Sequence, residues 1–269
     1  MIEGKTKTVA PLWKGAEVGL VTTKDDITAG DGAKHDVMSG KAELATRTTC
    51  NIFEYLRSKG TPVAYIGRDG PTTFLTRICI MIPVEVVVRR IAMGSYCKRH
   101  PEVEAGTVFE KPVVEFFYKT TGRRIGNQKL PCDDPLMVWS DLDYWYDLYR
   151  ADRPTQPAKE SYIGRLELSE VDVEELKKQL NECVTIATDV NRHLKHAWRL
   201  LGGTLYDFKV EFGVLPDGSI VLADVVDCDS WRVDWEGIQL SKQGYRDGDD
   251  LDRVLGVYRL AASLTDSLI

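Results

Sequence analysis

The sequence predicts an α+β chain with mainly antiparallel strand pairing, on three observations. Residues 5–23 hold two alternating runs around a Lys14-Gly15 turn, the pattern of a β-hairpin. Residues 170–200 keep apolar side chains at helical spacing. Residues 204–226 return to two strand-like runs around Pro-Asp-Gly. The 269 residues, 43% of them hydrophobic, can bury a sizeable core and suit one large domain or two closely joined lobes.

Taken in order, Lys5 to Pro11 and Glu17 to Thr23 form the first hairpin, and a glycine-rich loop, "TAGDGAKHD", follows. A helix is expected from about Gly40 to Lys59. Ser39 can cap it, Ala42, Ala45, Ile52, Phe53 and Leu56 give an apolar face, and Gly60 ends it. "TPVAYIG" and "TTFLTRICIMIPVEVVVRRIA" predict strands, the second broken near Pro83, so the first lobe is β-rich. Residues 119–168 carry Gly, Pro and charge without a sustained period and are expected as loops; within them "SDLDYWYDLY" can form a short helix used for packing. A long helix runs from a cap at Ser169 to Gly202-Gly203, with Leu176, Leu180, Cys183, Ala187, Val190, Leu194 and Trp198 inward. His193 and His196 lie three apart on it, too few ligands for a metal, and are assigned to the surface. "DDLDRVLGVYRLAASLTD" closes the chain as an amphipathic helix with an acidic start.

The totals exclude several classes. A net charge of −6 opposes a nucleic-acid partner, although a local basic pocket for small anions remains compatible with it. No apolar run is long enough to span a bilayer, and "MIEGKTKTV" is not a signal peptide. The six scattered cysteines contain no CxxC pair, which fits reduced thiols in a cytoplasmic protein.

The stretch "DFKVEFGVLPDGSIVLAD" carries the most chemistry. On a strand, Tyr206, Phe208, Val210 and Phe212 share one face, and Asp207, Lys209 and Glu211 the other. With the turn centred between Asp217 and Gly218, Glu211 falls opposite Asp224. Like charges so placed repel, and a divalent cation between them reverses the sign. The alternative is a solvated strand face neutralised by Lys209, against which Asp224 is bracketed by Val221, Leu222, Ala223, Val225 and Val226.

Two further segments can hold phosphate. "EGKTK" sets Lys5 and Lys7 on one strand face beside Gly4; it is not a Walker A loop, and exposed strand lysines are common. Joined to a two-carboxylate metal site, it becomes a nucleotide contact of the kinase sort. "RRIAMGS" ends a strand with Arg89, Arg90, Gly94 and Ser95, which suits an oxyanion or, equally, a structural salt bridge; Arg232 in "DCDSWR" can join the same group.

These segments resemble the SAICAR synthetase (phosphoribosylaminoimidazole-succinocarboxamide synthase) family. "MIPVEVVVRRIAMGS" looks like its first signature and "LYDFKVEFG" like its second, with "EGKTK", "DDITAGDGAK" and "VLADVVDCDSWR" in the expected order from about residue 3 to 260. "DSWR" is closer to the animal-type branch. The resemblance implies a two-lobed α+β fold related to ATP-grasp and kinase-like nucleotide sites, expected here as a nucleotide-binding lobe at 1–84 and a substrate and metal lobe at 85–269. It implies that ATP, L-aspartate and carboxyaminoimidazole ribonucleotide (CAIR) give SAICAR, ADP and phosphate, with Mg²⁺ as cofactor and a homo-oligomer as the assembly.

Carried across by the resemblance, Gly4, Lys5 and Lys7 contact ATP phosphates, and Met81 to Glu85 line the adenine. Glu211 and Asp224 hold Mg²⁺. Arg89, Ser95 and Arg232 bind the ribonucleotide phosphate or substrate carboxylates, and the Asp31-Gly32 loop closes over substrate. Lys209 sits by the reacting carboxylate, with Asp207 orienting it. Many members carry an aromatic residue where this chain has Ala10, and animal members carry a fused carboxylase domain, so only the synthetase activity is expected of these residues. A paralogous ligase on another carboxylate, a small-molecule kinase and a non-catalytic relative are the competing readings.

Overall fold

The computed structural model describes residues 1–269 except 31, 121, 126, 127, 131–133 and 156. The chain divides into two compact units: Met1–Ile82 with Asp189–Ile269, and Pro83–Thr188. The C-terminal residues 189–269 thus group with the N-terminal residues, and the intervening 83–188 form the second unit.

In the first unit, five antiparallel strands run in the order Ile2–Glu3, Lys7–Pro11, Val18–Thr23, Thr73–Arg77, Tyr65–Arg68. The predicted hairpin is present, with Lys7 opposite Thr23 and Pro11 opposite Gly19. Much of the expected glycine-rich loop is instead a second hairpin, Asp26–Ala29 with Lys34–Val37. Only its tip needs glycine: Gly30 and Gly32 have φ of 58° and 86°, where a side chain costs energy.

The helix Lys41–Ser58 follows, and its five predicted apolar positions are all buried. Its start corrects the expected cap. Ser39 makes no cap; Gly40 precedes the helix at φ 87°, and the free N–H of Ala42 donates to Asp25 Oδ1 at 2.8 Å from an adjacent loop. The C-terminal helix Leu251–Thr265 starts as expected on acid, with Asp250 Oδ1 accepting from Arg253 N at 2.8 Å. Val254, Tyr258 and Ala261 on that helix pack with Ile27, Met38, Cys228 and Tyr245 in one core cluster.

The charged strand, Gly203–Val214, pairs antiparallel with Ile220–Ala223 through Glu211–Val214 and with Trp231–Trp235 through Gly203–Phe208. A β-bulge at Tyr206 shifts its register against Trp231–Trp235. The apolar series therefore runs Leu205, then Phe208, Val210 and Phe212, all buried, and Tyr206 leaves the predicted face because the extra residue reverses the alternation.

The second unit holds an antiparallel sheet in the order Tyr162–Arg165, Trp145–Tyr149, Leu136–Ser140, Val108–Tyr118, Ile80–Ile91; the last strand begins at the unit boundary. No break occurs at Pro83. Pairing with Val108–Tyr118 begins at Val84, and toward that strand Pro83 offers only its carbonyl, which accepts from Lys119 N at 2.9 Å. A residue without an N–H is tolerated at such a position. The expected short helix at 140–149 is also corrected. Leu136–Ser140 and Trp145–Tyr149 form a hairpin, in which Tyr146 and Leu148 are buried and alternate with less buried neighbours. Much of the remaining 119–168 segment is irregular, as expected.

The long helix, Glu170–Leu200, crosses the boundary between the units. Ser169 caps it, accepting from Asp172 N at 3.2 Å, and all seven predicted inward residues are buried. The described cysteines 50, 79, 97, 183 and 228 are free thiols. Among the described residues, no helix is long and apolar enough to cross a membrane.

Candidate active site

In the first unit the charged strand supplies three alternate side chains. Asp207 and Glu211 are buried, each about 4% exposed, while Lys209 between them is partly open. Each has an opposite charge at hand. Asp207 accepts from Arg232 Nη1, because Arg232 is its cross-strand partner on Trp231–Trp235. Lys209 Nζ lies 3.4 Å from Glu211 Oε1. Buried carboxylates without such partners are strongly disfavoured.

The register corrects one expectation. The turn closes with Leu215 N donating to Ser219 O at 2.9 Å, which leaves the three-residue loop Pro216-Asp217-Gly218. Glu211 then faces Ala223, not Asp224. Three loop residues instead of two displace the register by one, and Gly218 adopts the φ of 85° that such a loop requires. Asp224 follows the strand end with its own φ at 66°, a left-handed conformation uncommon outside glycine, asparagine and aspartate.

Lys7 reaches Asp224 and forms an ion pair with it. Gly4 helps to place Lys7: its N–H donates to Lys7 O at 2.8 Å, and a Cβ at Gly4 would lie 3.4 Å from that oxygen. Lys24 Nζ donates to Gly4 O at 3.0 Å. Lys5 lies against the hairpin tip, with its Nζ 3.8 Å from where a Gly32 Cβ would stand. Asp31 lies outside the described residues. Met81 is exposed, and its sulfur is 3.8 Å from Cys79 Sγ.

Beside the charged strand lies a cluster that the motif reading did not single out. Asp229 is shared by Lys41 and Lys242, each 3.6 Å from Oδ2, and accepts from the Tyr258 hydroxyl. Burial opposes its ionisation, but the two lysines and the tyrosine hold its carboxyl well below the usual range. Asp227 accepts from Asp229 N at 2.8 Å, and burial together with the Asp229 charge pushes its carboxyl up to about 6. Arg246 is lowered by burial and then by the neighbouring Arg232. Two signals were available in sequence. Asp227 and Asp229 alternate in "VDCDS", and Lys242 and Arg246 stand four apart in "SKQGYRD".

In the second unit, Arg89 is buried on Ile80–Ile91. Its Nη2 donates to Ser95 Oγ at 3.2 Å, and its Nε to Glu115 Oε2 at 2.5 Å. The salt bridge expected of "RRIAMGS" therefore exists at Arg89, whose guanidinium also stands beside the Ser95 hydroxyl. Arg90 is lowered by burial. Glu85 is half-buried on the same strand, opposite Phe117.

The profile of the SAICAR synthetase family matches residues 1–127 and 159–256. A phosphoribosylaminoimidazole-succinocarboxamide synthase of Roseiflexus castenholzii is 34% identical over 278 residues, covering 100% of this chain and 97% of its own. One of Chloroflexus aggregans is 36% identical over 272 residues, covering 98% and 94%. A solved structure described as SAICAR synthetase (Type-2) in complex with ADP superposes with a TM-score of 0.77 at 26% identity, covering 99% of this chain and 97% of that one. With the family profile matching most of the chain and named relatives matching it from end to end, the chain belongs to the SAICAR synthetase family.

Proposed function

We infer that this chain is an ATP-dependent ligase that joins L-aspartate to the carboxylate of CAIR, giving SAICAR, ADP and phosphate in purine biosynthesis. The observation that carries this reading is the whole-chain similarity to named synthases at 34–36% identity. The nucleotide draws further support from the relative described in complex with ADP.

A carboxylate resists attack by an amine, so one oxygen must first leave as phosphate. ATP supplies the phosphoryl group, an acyl phosphate forms, and the aspartate amine displaces phosphate to leave an amide. The first transfer brings anions together and needs positive charge placed in advance. In this reading Lys5 and Lys7 meet the nucleotide phosphates, with Gly4 holding the turn, and Met81 and Glu85 line the base. Lys209, partly open and next to Glu211, faces the reacting carboxylate. Asp207, locked to Arg232 across the strands, orients it, and Arg232 binds substrate anions. Arg89 and Ser95 hold the ribonucleotide phosphate, and the loop bearing Asp31 and Gly32 closes over substrate.

Glu211 and Asp224 are assigned to Mg²⁺. The donor set fits: two hard carboxylate oxygens, with no group of three or more His, Cys, Asp or Glu ligands among the described residues. That suits an ion brought with nucleotide phosphates rather than a closed protein cage. When bound, Mg²⁺ would offset charge on the phosphates during transfer. A homo-oligomer in the cytoplasm completes the reading, and light scattering measures the assembly.

The test is an omission assay with purified protein, ATP, Mg²⁺, CAIR and L-aspartate. ADP and a product of SAICAR mass should appear only with all components present. A stable phosphorylated product without aspartate would establish a kinase instead. ADP release with another carboxylate but not with CAIR would establish a paralogous ligase.

A further inference from the structure

We propose that Glu115 is a positioning residue for the phosphate-bearing substrate: it fixes the guanidinium of Arg89, and Arg99 fixes Glu115. The proposal rests on the reading of Arg89 and Ser95 as the phosphate-holding pair. Its starting point in sequence is an acid flanked by apolar residues, "VVEFF", where a carboxylate needs a reason to be buried.

Strand pairing supplies the geometry. Arg89 faces Val113 across the antiparallel ladder, and Glu115 faces Val87, so Arg89 and Glu115 are diagonal neighbours on one face of the sheet. Both carboxylate oxygens are used: Oε2 takes Arg89 Nε at 2.5 Å, and Oε1 takes Arg99 Nη2. Arg99 in turn donates from Nη1 to Ala151 O at 2.9 Å, and its guanidinium lies 5.4 Å from the centre of the Phe117 ring. The three side chains are 4%, 0% and 9% exposed for Arg89, Arg99 and Glu115.

Glu115 therefore cannot swing away without breaking its bonds to two buried guanidinium groups, which is far costlier than breaking a surface pair. With its Nε edge held, the plane of Arg89 is set, and its Nη2 is left toward Ser95 Oγ at 3.2 Å, with the Tyr96 ring 5.9 Å away. A guanidinium recognises phosphate through coplanar N–H groups, so a plane fixed beforehand lowers the ordering cost of binding.

The experiment measures KM for CAIR, ATP and aspartate, kcat and melting temperature in Glu115→Gln, Glu115→Asp, Arg99→Lys and Arg89→Lys. Glu115→Gln should raise KM for CAIR by about tenfold or more. Its kcat should stay within about threefold, with KM for ATP and aspartate unmoved. Glu115→Asp should recover part of the loss, and Arg99→Lys should shift the same KM in the same direction, which carries the test if Glu115→Gln does not fold. A lower melting temperature with KM for CAIR unchanged in Glu115→Gln and Arg99→Lys, while Arg89→Lys raises it, would overturn the positioning role alone. Arg89→Lys leaving KM for CAIR unchanged would overturn the phosphate reading on which the role rests.

Discussion

Lys7, on the second strand of the chain, ion-pairs with Asp224, some 217 residues later, at the end of the Ile220–Ala223 strand where φ is 66°. The contact ties the N-terminal turn to the charged hairpin, and it puts a predicted phosphate ligand on a predicted metal ligand. In a site that handles nucleotide phosphates, the ammonium and the carboxylate can exchange each other for phosphate and cation at little electrostatic cost.

Asp224→Asn keeps a residue tolerant of the left-handed conformation and removes only the charge. The variant should melt within a few degrees of the parent and lose at least about 100-fold in kcat. Lys7→Met should lose a similar amount, and the double variant should lose much less than the product of the two. Steady-state kinetics with melting curves measure this; multiplicative losses would separate the two residues.

Gly213→Ala should destabilise the first unit. A Cβ there would stand 2.2 Å from Cys79 Sγ and 2.9 Å from its Cβ, inside contact distance. The expected cost is about 1–3 kcal/mol. Adding Cys79→Ala should recover part of it, because the nearer atom is removed. Denaturant melts of the three variants decide it.

Asp25→Ala should cost about 1 kcal/mol by uncapping the helix Lys41–Ser58, whereas Ser39→Ala should be near neutral. Denaturation midpoints separate the two. An equal loss from Ser39→Ala would contradict the capping by Asp25.

Asp227 makes stability depend on pH. Folded, it holds its proton up to about pH 6; unfolded, it releases it near pH 4. The folded state binds more protons across that window, so this group lowers the parent's stability as pH rises through it. Asp227→Asn cannot titrate, and its stability relative to the parent should rise as pH increases through that window. Parallel stability curves for the two proteins would refute the raised carboxyl.

Periodic elements were legible in the sequence because burial writes itself into spacing: the helix Glu170–Leu200 carries its seven inward residues at the positions predicted. Single-residue insertions were not legible. The bulge at Tyr206 and the three-residue loop at Pro216-Asp217-Gly218 each moved a register by one, and the second took Asp224 from opposite Glu211 to one position beyond. Trp145–Tyr149 hid its alternation because two of its three half-buried positions, Trp145 and Tyr149, are aromatic like the buried Tyr146. In the site, the motif reading drew on segments where several charges share one strand. Lys41, Asp229 and Lys242 escaped because they meet only through the folding of three separate segments.

The central claim is that this chain activates the CAIR carboxylate as an acyl phosphate before aspartate attacks. CAIR labelled with ¹⁸O in both carboxylate oxygens tests it directly, with mass spectrometry of the products after complete turnover. One labelled oxygen should leave in inorganic phosphate and one should remain in the amide of SAICAR. Unlabelled phosphate formed alongside SAICAR would contradict the account.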